Sequence, residues 1–190
     1  MFLVAGLGNP SSVYKITRHN AGFMAVNFIS DNSSFAWGDR LKFNASVTSG
    51  DIGEHKVILC KPMNFMNLSG NSIFSLMSYY KIESKRLIVI HDDIDLSFGE
   101  VKCKIGGGSG GHNGLKSIDK FIGPNYYRIR LGIGRPVNSN LCISDYVLSN
   151  FSNAELNILN TRCNNILKNI NLLFLYRLEQ FKIQIAMAKK

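Results

Sequence analysis

Short aliphatic runs separated by polar loops dominate the pattern along the chain. Phe2 to Leu7 (FLVAGL) is continuously apolar, as expected of a strand buried on both faces. Leu87 to Ile90 is a second such run, set off by Lys85 and Arg86. Phe43 to Ser49 and Lys56 to Cys60 read as a hairpin about a turn at Gly50 to Glu54. Lys61-Pro62 ends its second strand, because proline cannot continue a central ladder. Val101 to Ile105 alternates, with Lys102 and Lys104 on one face. Arg128 to Gly134 also alternates, with one face in the core and one basic face.

Between these runs the apolar spacing turns helical. Ala21 to Ile29 presents Phe23 and Val26 inward, with Met24, Phe28 and Ile29 beside them. Ile73, Leu76, Met77 and Tyr80 predict a helix capped by Asn67 or Ser69. Leu115 to Ile122 predicts another. Ser152 and Glu155 form a capping-box signature ahead of Leu156, Leu159, Cys163, Ile166, Leu167, Ile170, Leu173 and Phe174, predicting one long helix or two. Phe181 to Met187 lies beyond them. Ile143 to Leu148 fits a short strand or a helical turn; Pro136 to Asn140 reads as a loop, and the chain from Ala188 as a fraying end. The alternation predicts one α/β domain over residues 1–190, with a twisted, mostly parallel, mixed sheet flanked by helices and ending in helices.

At 190 residues and 45% hydrophobic content there is enough chain for a real core. The apolar run Leu172 to Tyr176 falls far short of the ~20 residues of a membrane helix. The first residues lack a basic stretch ahead of an apolar one, so no signal peptide is expected. Cys60, Cys103, Cys142 and Cys163 are scattered and form no C-x-x-C pair. That pattern predicts reduced, mostly buried thiols in a cytoplasmic protein, not a disulfide frame or a zinc site.

Charge changes the picture more. The net charge is +9, and Val101 to Asn140 carries seven basic residues against Asp119 alone. A basic face of this kind fits a polyanionic partner, although a merely cationic soluble protein has the same composition.

The candidate chemistry lies where strands end. His19, within YKITRHNAG at 14–22, follows the first strand across a polar loop and precedes a helix. That is the sheet edge where open α/β folds bind ligands, though a lone histidine there also fits a helix cap or a loop bond. Gly6-Leu7-Gly8 matches a dinucleotide turn poorly: Pro10 interrupts it, Ser11 stands at the third glycine position, and no strand ending in an acid follows at the right distance. Phe65 and Met66 sit on a loop, either stapling it to the core or lining a site. His91-Asp92-Asp93-Ile94-Asp95 puts three carboxylates at the end of a buried strand, costly unless paired or ion-bound. They suit either a magnesium-type cluster or a carboxylate that orients a histidine. Gly106 to Gly111 holds five glycines in six residues just ahead of a helix. Its backbone can approach a phosphate closely, but the G-K-[ST] ending of a P-loop is absent.

Taken in order, TRHNAG around His19, FMNLSG at 65–70, HDDID at 91–95 and GGGSGGHNGLKS at 106–117, with the opening GLGNP, resemble the bacterial peptidyl-tRNA hydrolases along nearly the whole chain. The resemblance implies a metal-independent esterase without cofactors, expected to be monomeric, that cleaves peptidyl-tRNA into tRNA and peptide. It implies His19 as general base, Asp92 as its orienting carboxylate, and Asn9 as reader of the peptide main chain. It implies that Asn67 and Asn113 bind the 3′ end or the peptide and position the water. Tyr14, Phe65 and Met66 would line the site, and Lys102, Lys104, Arg128 and Arg130 lie in segments that clamp tRNA phosphates. Ser11 and Ser109 depart from the family's usual glycine and histidine, outside the catalytic roles. No G-x-S-x-G elbow is present, and no cysteine falls in these motifs. Two rivals stand beside this reading: a non-catalytic RNA-binding module on the same fold, and a metal hydrolase built on Asp92, Asp93 and Asp95.

Overall fold

The computed structural model describes residues 1–136 and 142–187. Most of the loop expected at 136–140 and the end expected to fray from residue 188 lie outside them. Seven strands form one mixed sheet: β1 (Phe2–Gly6), β2 (Gly38–Arg40), β3 (Ala45–Ile52), β4 (His55–Pro62), β5 (Leu87–Asp93), β6 (Val101–Ile105) and β7 (Tyr127–Gly132). Their order is β2-β3-β4-β1-β5-β7-β6. The central four, β4-β1-β5-β7, run parallel, and both margins are closed by antiparallel strands. β1 therefore has β4 on one side and β5 on the other. The loops that follow these three strands leave from the same edge, the switch point where such sheets bind ligands.

The helices are α1 (Ala21–Asn32), α2 (Ser69–Tyr80), α3 (Asn113–Ile122), α4 (Ile143–Val147), α5 (Asn153–Asn169), α6 (Asn171–Phe174) and α7 (Leu178–Met187). Strand alternation divides the core in two. Phe2, Val4, Ile88, Ile90, Ile129 and Leu131 pack under α1 and the C-terminal helices. Leu3, Ala5, Leu7, Ile58, Leu87 and Val89 pack under α2 and α3. Close approach needs glycine at two crossings. A Cβ on Gly22 would meet the Ile90 carbonyl oxygen at 2.3 Å, so α1 starts directly over the ends of β1 and β5. A Cβ on Gly70 would meet the Ser117 carbonyl oxygen at 2.2 Å, and Gly70 N–H donates to Ser117 Oγ at 3.0 Å, locking α2 to α3.

Several boundaries differ from the sequence pattern. The hairpin strand starts at Ala45, after a 3-10 turn that takes up Phe43, and continues to Ile52, so the turn shrinks to Gly53 and Glu54. Pairing with β4, rather than apolar content, holds Gly50, Asp51 and Ile52 in the ladder. The short β2 had no apolar signature at all. Neither Asn67 nor Ser69 caps α2; Leu68 stands at that position, and Ser69 Oγ donates instead to the Met66 carbonyl. Ile143 to Val147 is helical. The C-terminal helical stretch is broken by the positive φ of Tyr176 (58°), after the short α6. The Ser152–Glu155 capping box forms as expected.

Candidate active site

β5 continues past Ile90 through His91, Asp92 and Asp93, because all three still pair with β7. Alternation then sends Asp92 and Asp93 apart. Asp92 is buried and meets His19 from the loop after β1: His19 Nδ1 lies 2.9 Å from Asp92 Oδ2 and 3.0 Å from Oδ1. Asp93 accepts from Arg130 Nε at 2.7 Å, and Asp95 pairs with Arg135. Asp93 and Asp95 thus pair with two different arginines while Asp92 turns to histidine rings, so the three carboxylates do not converge on one ion.

Asp92 has a second partner, which the sequence motifs had not singled out as a site residue. His112 Nε2 lies 2.9 Å from Asp92 Oδ1. The other ring nitrogen of His112 caps α3, Nδ1 accepting from the N–H groups of Gly114 at 3.1 Å and Leu115 at 3.4 Å. The only sequence signal for this was its place just ahead of a helix, after the glycine run.

These contacts fix the tautomers. A buried carboxylate held as an anion accepts only, so His19 Nδ1 and His112 Nε2 both carry protons. In the neutral ring His19 Nε2 is then a bare lone pair, the state a general base needs. His112 Nδ1 is likewise bare, as its capping role demands. His91 follows the same logic: its Nδ1 donates to the Asp92 carbonyl at 2.7 Å.

Charge acts consistently on the pair. Burial disfavours the charged His19 ring, but the Asp92 charge and hydrogen bond outweigh it, so its pKa lies above the ordinary imidazole value. Burial would raise the Asp92 pKa, but His19 and His112 together hold it far below the carboxylate range. His91, buried and next to His112, is pushed down to about 3 and stays neutral.

The rest of the loop is tied to this pair. Arg18 makes a two-pronged ion pair with Glu155 at 2.8 and 3.2 Å, and stacks over Tyr146 and Phe151. That anchors the His19 loop to α5. Asn20, next to His19, exchanges two hydrogen bonds with Asn9: Asn9 N–H to Asn20 Oδ1 at 2.8 Å and Asn20 Nδ2 to the Asn9 carbonyl at 3.0 Å. Asn9 Oδ1 accepts from Met66 N–H at 2.8 Å. The loops after β1, β4 and β5 are therefore joined into one edge.

A cleft of about 330 Å³ opens here, lined by His19, His91, Asp92, His112, Asn113, Lys104, Arg130 and the glycine loop, with Ile143, Ser144 and Val147 opposite. His19, Asp92, Asn113, Lys104 and Arg130 come together in it. Asn9, Met66 and Asn67 lie on the adjoining loops, with Asn67 exposed and Met66 in the core. Phe65 is 59% exposed, an unpacked aromatic beside Met66. Tyr14 is half-buried, and its carbonyl holds Thr17. Lys102 lies apart, paired with Glu100 at 3.0 Å and lining a second cavity under α7.

Arg128 departs from its expected role. Its side chain is fully buried, paired with Asp119 at 2.8 Å, donating to the Gly108 carbonyl at 3.0 Å and packed over Tyr126. It offers no surface to a phosphate and instead ties the glycine loop to α3. Of the thiols, Cys60, Cys103 and Cys163 are buried, the last two pushed up to about 12 by that burial, and no cysteine lines the cleft.

Known proteins resemble this chain along nearly its whole length. The family model described as peptidyl-tRNA hydrolase matches residues 3–190. The chain belongs to the peptidyl-tRNA hydrolase family. It is 46% identical over 185 residues to the peptidyl-tRNA hydrolase of Rickettsia canadensis, covering 97% of this chain and 100% of that one. Against the Rickettsia africae protein of the same name the identity is 47% over 186 residues, covering 98% and 100%. The crystal structure of the Acinetobacter baumannii peptidyl-tRNA hydrolase superimposes with a TM-score of 0.92 at 36% identity, covering 98% of this chain and 94% of that one. Among the described residues no helix is long and apolar enough to cross a membrane.

Proposed function

We propose that this chain hydrolyses the ester bond of peptidyl-tRNA, with His19 as general base. The observation that carries the mechanism is the His19–Asp92 hydrogen bond, which in the neutral ring leaves Nε2 of His19 as the bare lone pair. His19 Nε2 takes a proton from water as the oxygen attacks the ester carbonyl. The imidazolium that forms is stabilised by the adjacent Asp92 charge. The same proton then passes to the leaving ribose oxygen, so the tRNA departs as an alcohol and the peptide as a carboxylic acid, which releases its remaining proton to solvent. An ester has a good leaving group, so a positioned base suffices without a covalent nucleophile.

The polar groups around the base have matching roles in this reading. Asn9 recognises the peptide main chain, while Asn67 and Asn113 hold the 3′ end and the water. With Oδ1 engaged by Met66, Asn9 has its amide N–H groups to offer a peptide carbonyl. Tyr14 and the exposed Phe65 form the wall beside the terminal nucleotide, and Met66, buried in the core, anchors that loop. Lys104 and Arg130 at the cleft, with Lys102 beyond, attract the tRNA phosphates; the enzyme works in the cytoplasm as a monomer.

The test compares cleavage of N-acetyl-aminoacyl-tRNA with that of unblocked aminoacyl-tRNA, with EDTA present. Cleavage of the blocked substrate alone is expected. tRNA binding without cleavage would instead support a binding module, and loss of activity with EDTA would move the chemistry to a metal.

A further inference from the structure

The geometry points to a second use of the same cluster: His19, Asp92 and His112 form an inhibitory site for a zinc-type divalent cation. One ring nitrogen each of His19 and His112 and an Asp92 carboxylate oxygen all lie within 4.8 Å of one another, and His19 Nδ1 and His112 Nε2 are the nitrogens that face the carboxylate at 2.9 Å. Two imidazoles and a carboxylate are a donor set that zinc favours, with a fourth position left for water. Bonds of ~2.0–2.2 Å place the donors of a tetrahedral site roughly 3.4 Å apart. To reach that spacing the hydrogen-bonded pairs at 2.9 Å must open slightly and any wider pair must close. All three residues line the cleft, so an ion has a route in.

The proton balance says what such an ion would do. In the working state the two nitrogens that face Asp92 carry protons. To bind metal each must present a lone pair, so each neutral ring moves its proton to its other nitrogen, with no net release. For His19 that puts a hydrogen on Nε2, the atom that must receive the proton of water, and the base is lost. For His112 it puts a hydrogen on Nδ1, facing the N–H groups of Gly114 and Leu115, and the cap of α3 is lost. The cation therefore competes with catalysis and loosens the start of α3 next to the glycine loop. This inference concerns the same atoms as the proposed hydrolysis, but binding can be read without any tRNA.

The test is a titration of the EDTA-treated, dialysed full chain with Co²⁺, followed in the visible spectrum, and with Zn²⁺, followed by calorimetry. The variants are wild type and His112→Asn. Asparagine is itself a good cap, so the variant keeps α3 while removing one ligand. The expected result is an intense tetrahedral Co²⁺ band that zinc abolishes, with at least ~10-fold weaker binding in the variant. Zinc added to the wild type would also lower cleavage of blocked aminoacyl-tRNA, and excess EDTA would restore it. A weak octahedral Co²⁺ spectrum, or equal affinity in wild type and variant, would overturn the site. An inactive chain that still showed the band and lost it in the variant would overturn the hydrolase reading alone.

Discussion

Asp92 accepts hydrogen bonds from His19 and His112 at once, both at 2.9 Å. One buried carboxylate is thus divided between the ring that would act as base and the ring that caps α3. Dividing the charge limits how far Asp92 can raise the pKa of His19. In His112→Asn the cap survives but the second imidazole donor is gone, so Asp92 acts more fully on His19. The His19 pKa then rises, and the acidic limb of the kcat/KM profile moves to higher pH. Measuring that limb from pH 5 to 9 checks this; a shift to lower pH would contradict it.

Asp92→Asn tests the opposite sign. The Asp92 charge and hydrogen bond raise the His19 pKa, while burial lowers it. Without the charge, burial prevails, and the pKa falls. The base is then deprotonated at lower pH, so the acidic limb moves down. The maximal rate should still fall by about 10²–10⁴, because an amide stabilises the imidazolium poorly. Stability follows the carboxylate: a folded pKa held below the unfolded one contributes stability above the unfolded value, lost as pH falls. Wild type should therefore lose melting temperature below about pH 4 more steeply than the variant.

Arg128 and Lys104 separate structure from binding. Arg128→Gln leaves the glycine-loop carbonyl without its charged donor and Asp119 without its cation. Breaking a buried pair in this way typically costs ~3–5 kcal/mol, reduced here because Asp119 is partly exposed. Lower stability is expected, with the salt dependence of tRNA affinity unchanged. Lys104→Ala should instead leave the melting temperature nearly unchanged and flatten the slope of log affinity against log salt by ~0.7–0.9. Denaturation curves and salt titrations of tRNA binding decide between the two.

Gly70→Ala probes the α2–α3 contact. A Cβ would lie 2.2 Å from the Ser117 carbonyl oxygen, a backbone atom with little freedom. The helices must separate, at roughly 1–3 kcal/mol. Because His112 caps α3, the variant should also lose activity beyond its loss of stability. Urea denaturation alongside turnover at low temperature would show whether both change.

Much of this site was legible in the chain, for identifiable reasons. Strands such as FLVAGL and LIVI are buried on both faces, so their apolar runs mark them, and the polar residues just after them had to lie at the sheet edge. The hydrogen bond of Asp92, and not Asp93, to His19 follows from strand alternation once β5 is seen to continue through His91. That continuation depends on pairing with β7, a long-range contact that local pattern does not carry. Arg128 looked like one member of a basic face because alternation gives a direction but not what covers it. The glycine loop and Asp119 cover it, so a residue on the expected side of the strand is nevertheless buried. His112 was hidden for a similar reason: only the folded α3 brings its ring to Asp92.

The central claim is that Nε2 of His19 is the base. Single-turnover cleavage of N-acetyl-aminoacyl-tRNA by wild type and His19→Ala, with EDTA present and tRNA affinity measured in parallel, tests it most directly. Cleavage is expected to fall by at least ~10²-fold while tRNA affinity stays within a few-fold of wild type. Cleavage at near wild-type rate in the variant would contradict it.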